Sequence, residues 1–183
     1  MLRQSLKWCL AALLLASCTL LLLGSHVVPP VYTISTKIDL PAGPEASWRV
    51  LVDMSSYSEW NPYLPEVKGA LEPGEQLTLT LQSANFEGPL KVNARVGEVS
   101  PPQQFYWAGR VGLPGLFDTK HVFKLSQSSG DTTTLSHYEE FRGVIAALLP
   151  NRAERSAKTR AAFESMNSAL RSEIIRRRTQ QDE

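Results

Sequence analysis

Cysteine is nearly absent from this sequence: of its 183 residues only Cys9 and Cys18 carry a thiol. Both fall inside an apolar run near the start, so everything after residue 18 has none. The rest of the chain therefore holds no disulfide framework, no cysteine nucleophile and no cysteine-based zinc site. An excess of either charge is also missing, with 19 basic against 18 acidic residues and a formal net charge of +1. Nucleic-acid recognition usually needs a strongly basic field, so this balance argues against such a partner. No internal repeat, Gly-x-Ser-x-Gly elbow, phosphate loop or dinucleotide fingerprint occurs. No cofactor is expected, and the fit to an enzyme is poor.

Long hydrophobic runs are missing with one exception. Arg3 and Lys7 precede an apolar stretch from Trp8 to Leu23, which fades to Val28 and stops at Pro29-Pro30. Through Val28 it is about long enough to cross a bilayer, which takes roughly 20 residues. Its charges would keep the start of the chain cytoplasmic and send the rest across. Three uses fit. An uncleaved signal anchor employs the whole run. In a lipoprotein signal, Leu15-Ala16-Ser17-Cys18 would serve as the lipobox with Cys18 lipidated, although Thr19 to Leu23 continue the greasy run. A cleaved signal peptide lacks a clean small-x-small site near Gly24-Ser25. Each makes residues 1–30 a membrane anchor or signal segment. All three put the remainder at or beyond a membrane on the non-cytoplasmic side, and the anchor and lipoprotein readings hold it there, single-pass through residues 8–28 or lipid-anchored.

Residues 31–178 read as one α+β domain, with 179–183 a polar tail. A first strand spans Val31 to Leu40, with Tyr32, Ile34, Thr36 and Ile38 on one face. Pro44 opens a short helix whose stripe is Trp48, Leu51 and Val52. Leu77, Leu79 and Leu81, then Leu90, Val92, Ala94 and Val96, alternate with polar residues, which is the pattern of half-buried antiparallel strands. Further strands follow at Phe105–Arg110, Phe117–Leu125 and Thr132–Arg142. The last element starts at Pro150-Asn151, where Asn151 and Glu154 have the spacing of a capping box. It is a long helix with Phe163, Met166, Leu170 and Ile174 on one stripe. Arg176 to Arg178 close it, either matching the helix dipole or facing anionic lipid. A curved antiparallel sheet with this helix across its concave face accounts for the order. The modest bulk of Ala162, Met166 and Ala169 leaves room for an apolar cavity between them.

Several stretches resemble the START-like (SRPBCC) superfamily, in particular its polyketide cyclase/dehydrase-like branch. They are Ile38-Asp39-Leu40-Pro41-Ala42-Gly43-Pro44-Glu45, the turn Tyr57-Ser58-Glu59-Trp60-Asn61-Pro62, Gly112 to Asp118 with His121-Val122-Phe123, and Thr134 to Gly143. The resemblance covers about Val31 to Arg178. It implies the helix-grip fold, a long C-terminal helix gripped by a curved sheet around a hydrophobic cavity. It also implies ligands drawn from lipids, quinones, polyketides or hormones.

The last hairpin places the polar candidates. Pairing its strands about Ser129 sets Phe123 against Leu135, His121 against His137, Thr119 against Glu139 and Phe117 against Phe141. Paired residues share a face, so the apolar ends carry His121, His137 and Glu139 to the covered side. These three could be a satisfied core cluster, could orient a ligand's polar head, or could act as general acid and base. They could also supply three metal ligands, although nothing else in the sequence supports a metal site. The expected wall is aromatic and aliphatic: Trp60, Trp107, Phe117, Phe123 and Phe141, with Phe163, Met166 and Leu170 from the helix. We therefore expect a membrane-tethered module that binds an apolar small molecule such as a lipid, quinone or polyketide. The alternative is a cyclase or dehydratase using His121, His137 and Glu139. The two differ in whether those side chains line an open cavity or lie locked in a filled core.

Overall fold

The computed structural model describes residues 29–181. The apolar N-terminal segment, including Cys18, lies outside the described residues. Seven strands alternate buried and exposed side chains as the sequence pattern requires: β1 Tyr32–Leu40, β2 Glu66–Lys68, β3 Gln76–Leu81, β4 Leu90–Ser100, β5 Gln104–Val111, β6 Phe117–Gln127 and β7 Thr133–Arg142. They form one sheet in the order β1-β7-β6-β5-β4-β3-β2, antiparallel throughout. The first strand thus pairs with the last, and the chain must cross from one edge of the sheet to the other to begin β2. Helix α1 (Pro44–Val52), a 3-10 turn (Met54–Ser56) and α2 (Tyr57–Trp60) make that crossing. After β7 come a short helix α3 (Val144–Leu148) and the long α4 (Arg152–Gln181).

The sheet is curved, and α4 lies along it as the helix-grip arrangement demands. Phe163, Met166, Leu170 and Ile174 are all at most 1% exposed, so the expected stripe is the buried one. It packs on β1 and α1. The core continues through Trp48, Leu51, Tyr57, Phe105, Phe123 and Leu135. Tyr57 is held by a hydrogen bond from its hydroxyl to the Leu51 carbonyl, 2.6 Å.

Four details differ from expectation. In the β6–β7 hairpin Leu125 faces Leu135, Phe123 faces His137, His121 faces Glu139 and Thr119 faces Phe141. The loop runs from Ser128 to Thr132, closed by the Ser128 amide on the Thr132 carbonyl at 2.9 Å, so its centre is Gly130 rather than Ser129. Moving the centre by one residue moves every partner by two, which preserves the face and changes the pairs. Helix α3 gave no periodic signal, being only one turn or so of Val144 to Leu148. The capping box does not form as expected: Asn151 takes a left-handed backbone, φ 52, and the Glu154 carboxylate pairs forward with Lys158 at 2.7 Å. Lastly, α4 continues through Gln181, into what reads as a polar tail.

Candidate functional site

A cavity of about 460 Å³ lies between the sheet and the first turns of α4. The strand alternation makes its wall: Leu79 and Leu81 from β3, Val92 and Ala94 from β4, Trp107 from β5, all pointing inward. From above, α4 contributes Arg155, Ser156 and Thr159, which are too short or too polar to fill the space. One turn on, Phe163 closes the cavity off from the core. Its ring stacks on His137 at 4.2 Å, meets His121 at 5.0 Å and meets Tyr63 at 5.3 Å.

The expected residues divide along this boundary. Trp107, Phe117, His121, Glu139 and Phe141 line the cavity. Phe123, His137, Phe163, Met166 and Leu170 lie outside its lining, each fully buried. They belong to the filled core because the helix stripe, from Phe163 onward, packs directly onto the sheet. Trp60 stands elsewhere, half-buried in the crossing segment, with its indole N–H on the Ser56 hydroxyl at 3.1 Å. Arg176 and Arg177 bind Glu173, Arg177 also meets Asp53 at 2.9 Å, and Arg178 meets Asp131 at 3.1 Å. These arginines therefore tie down the helix end.

A chain of hydrogen bonds runs from the core to the cavity, and each link sets the direction of the next. The Thr36 hydroxyl donates to the His137 carbonyl, 3.1 Å. Its oxygen accepts from the Asn167 side-chain amide, 2.8 Å. Asn167 Oδ1 must then face His137 Nδ1, 2.8 Å away, so that nitrogen carries the proton. With His137 neutral, its Nε2 offers a lone pair to His121 Nε2, at 2.7 Å, and His121 is the donor. What remains is His121 Nδ1, facing Glu139 Oε2 at 3.7 Å on the cavity wall. His121 Nδ1 and the Glu139 carboxylate are thus the polar atoms that this chain of hydrogen bonds presents to the cavity. His137, with both ring nitrogens engaged by Asn167 and His121, does not converge with them on a common point.

Burial drives the electrostatics. It pushes His137 well below its ordinary value near 6.5, His121 adds to this, and the Asn167 bond only partly opposes it. Burial likewise raises the Tyr63 hydroxyl well above its usual range, with the nearby Glu139 carboxylate adding to the effect. Neutral His137 and neutral Tyr63 thus frame the His121–Glu139 pair.

Asn167, Thr36 and Tyr63 were not among the expected site residues. Asn167 had a signal: it falls four residues after Phe163, a polar side chain on an otherwise apolar stripe. Thr36 interrupts the Ile34–Ile38 face of β1 in the same way. Neither interruption names its partner, since 131 residues separate them.

A curved antiparallel sheet, a long helix across it and an apolar cavity with a polar pair in its wall define a helix-grip protein. Residues 32–173 match the family model described as polyketide cyclase/dehydrase and lipid transport, and the chain belongs to that family. No curated protein matches it in sequence. Solved structures that share its fold include a START superfamily protein from Mycobacterium smegmatis, with TM-score 0.63 at 16% identity, covering 79% of this chain and 97% of that one. The Zhui aromatase/cyclase from a Streptomyces species has TM-score 0.63 at 16% identity, covering 80% and 94%. A conserved protein from Geobacillus kaustophilus has TM-score 0.61 at 17% identity, covering 79% and 96%.

Proposed function

We propose that this protein binds an apolar small molecule of the lipid, quinone or polyketide kind, and that residues 8–28 hold it at a membrane. The observation that carries the reading is the cavity of about 460 Å³, walled on the sheet side by Leu79, Leu81, Val92 and Trp107 with His121 and Glu139 among them, and on the helix side by Arg155, Ser156 and Thr159. That volume is within the roughly 300–1,000 Å³ of small-molecule sites, which are apolar with a few convergent polar groups. A ligand with one carbonyl or hydroxyl on an apolar body fits this wall, its polar atom toward His121 and the rest against aliphatic carbon. Native mass spectrometry of the full chain, released gently from host membranes, tests the reading. A co-purifying apolar compound, recovered by organic extraction, is expected. A protein that stays empty after incubation with host membrane extract overturns it.

A second reading has its own support in the directed hydrogen-bond chain. His121 Nδ1 and Glu139 Oε2 lie 3.7 Å apart on the cavity wall, so the pair could take a proton from a carbon beside a ligand carbonyl and return it to a departing hydroxyl. Dehydration of a polyketide needs that pair of steps, and its cyclisation needs the same proton abstraction with the proton returned to the carbonyl oxygen that the carbanion attacks. Of the three residues expected to act, His137 would then be a positioning residue behind His121. His121→Gln should abolish turnover of the extracted compound while leaving its binding intact, and unchanged turnover eliminates the enzyme reading.

A further inference from the structure

Among the described residues eight large apolar side chains stand exposed, and seven of them gather at one end of the sheet. Leu90 opens β4, Val111 closes β5, Leu113 follows it, and Val144, Ile145 and Leu148 belong to α3 and its start. The seventh is Val31, immediately before β1. Leu113 and Leu148, 72% and 76% exposed, protrude furthest. A patch of this kind on an otherwise mixed surface marks a docking site.

This end is also where the cavity opens, because Leu90 and Val111 stand in the rim and line the cavity as well. Two loops are fastened together there: the Val144 amide donates to the Gly115 carbonyl at 3.1 Å, and the Ile145 amide to the Leu116 carbonyl at 2.9 Å. The opposite end has the reverse character. Its hairpin loop is Ser128-Ser129-Gly130-Asp131-Thr132, and Arg178 is held there by Asp131.

The chain enters the fold at the apolar end. The Val31 amide is bonded to the Phe141 carbonyl at 2.8 Å, directly after Pro29-Pro30, so the apolar stretch 8–28 attaches beside the rim. Arg152, exposed with its guanidinium 5.6 Å from the ring of Tyr32, adds a cation at the same place. We infer that the mouth of the cavity rests on the bilayer that holds residues 8–28. Leu113 and Leu148 then enter the boundary between head groups and acyl chains, and the cavity opens directly to lipid. The inference rests on the tether reading of residues 8–28, and on nothing about which compound is bound.

The test uses the full chain in nanodiscs of phosphatidylcholine and phosphatidylglycerol that contain a nitroxide-labelled lipid. An environment-sensitive fluorescent amino acid replaces Leu113, Leu148 or, as control, Ser129, which leaves both native cysteines in place. Probes at 113 and 148 are expected to lose most of their emission, while the probe at 129 keeps its own. Equal emission at all three sites, in protein that stays with the nanodisc, overturns the docking and leaves the tether standing. Protein that separates from the nanodisc overturns both. A doubled protein mass without quenching assigns the rim to a second copy of the chain and overturns contact with lipid.

Discussion

His121 and His137 meet through their Nε2 atoms at 2.7 Å, one ring on the cavity wall and the other sealed in the core. Two imidazoles so placed can form a hydrogen bond only if one donates and the other accepts. The choice is made from behind, by Asn167 and Thr36, and it leaves His121 Nδ1 toward Glu139. A core hydrogen-bond chain thereby decides which nitrogen of His121 is left to face the cavity.

Replacing Asn167 tests this directly. Asn167→Leu strands the His137 Nδ1–H and removes the donor to Thr36, at a cost of about 1–3 kcal/mol for an unpaired buried polar group. Denaturant unfolding reads the loss. Nitrogen-15 spectra of the imidazoles should show His137 protonated at Nδ1 in the native protein and a mixture of tautomers in the variant. An Nε2-protonated His137 in the native protein would overturn the direction of the chain.

Stability should fall in mild acid. His137 stays neutral in the fold, its affinity for protons lowered by burial, whereas the unfolded chain protonates it below about 6.5. Below that pH the unfolded state binds more protons, so the contribution of His137 is complete above about 6.5 and is lost as the pH drops further. Unfolding free energies measured downward from neutral pH should decline with a slope approaching about 1.4 kcal/mol per unit from this group. His137→Gln should be less stable at neutral pH and markedly flatter below it.

Filling the cavity separates binding from folding. Ser156 is half-buried on α4 and faces the open space. Ser156→Phe adds a ring where no atom need be displaced, so it should escape the roughly 1–3 kcal/mol cost of overpacking a filled core. The variant should unfold within about 1 kcal/mol of the native protein and co-purify without the apolar compound. Retention of the compound would place the binding site elsewhere.

Two glycines with positive φ should behave differently. Gly143, with φ 99, approaches the 112–116 loop so closely that an added Cβ would lie 2.6 Å from the Leu116 carbonyl oxygen and 2.7 Å from that of Gly115. Gly130, with φ 54, has nothing within 4 Å of that position. Gly130→Ala should cost about 1–2 kcal/mol, the left-handed strain alone. Gly143→Ala should cost clearly more, and hydrogen exchange of the Val144 and Ile145 amides should speed up as the two loops part.

The sequence alone determined the layout of this protein. Period-two strands, the apolar stripe from Phe163 to Ile174 and the breaks at Pro41 and Pro101 are local properties, so composition and spacing suffice to read them. The side of the sheet on which His121, His137 and Glu139 lie was legible too, because strand parity survives an error of two residues in register. Which of them touch the cavity was decided only by the tertiary structure. The depth to which α4 reaches into the sheet depends on side-chain volume summed across elements far apart in sequence, and Phe163 sets the boundary by filling the last of the space. The link from Thr36 through Asn167 to His137 is likewise invisible in the chain, since a hydrogen bond has no sequence period. The gathering of Val31, Leu90, Val111, Leu113 and Leu148 at one end came from the topology, which brings one end of each strand to that side of the sheet. In the sequence they are single apolar residues at the edges of turns, and only the sheet makes them one surface.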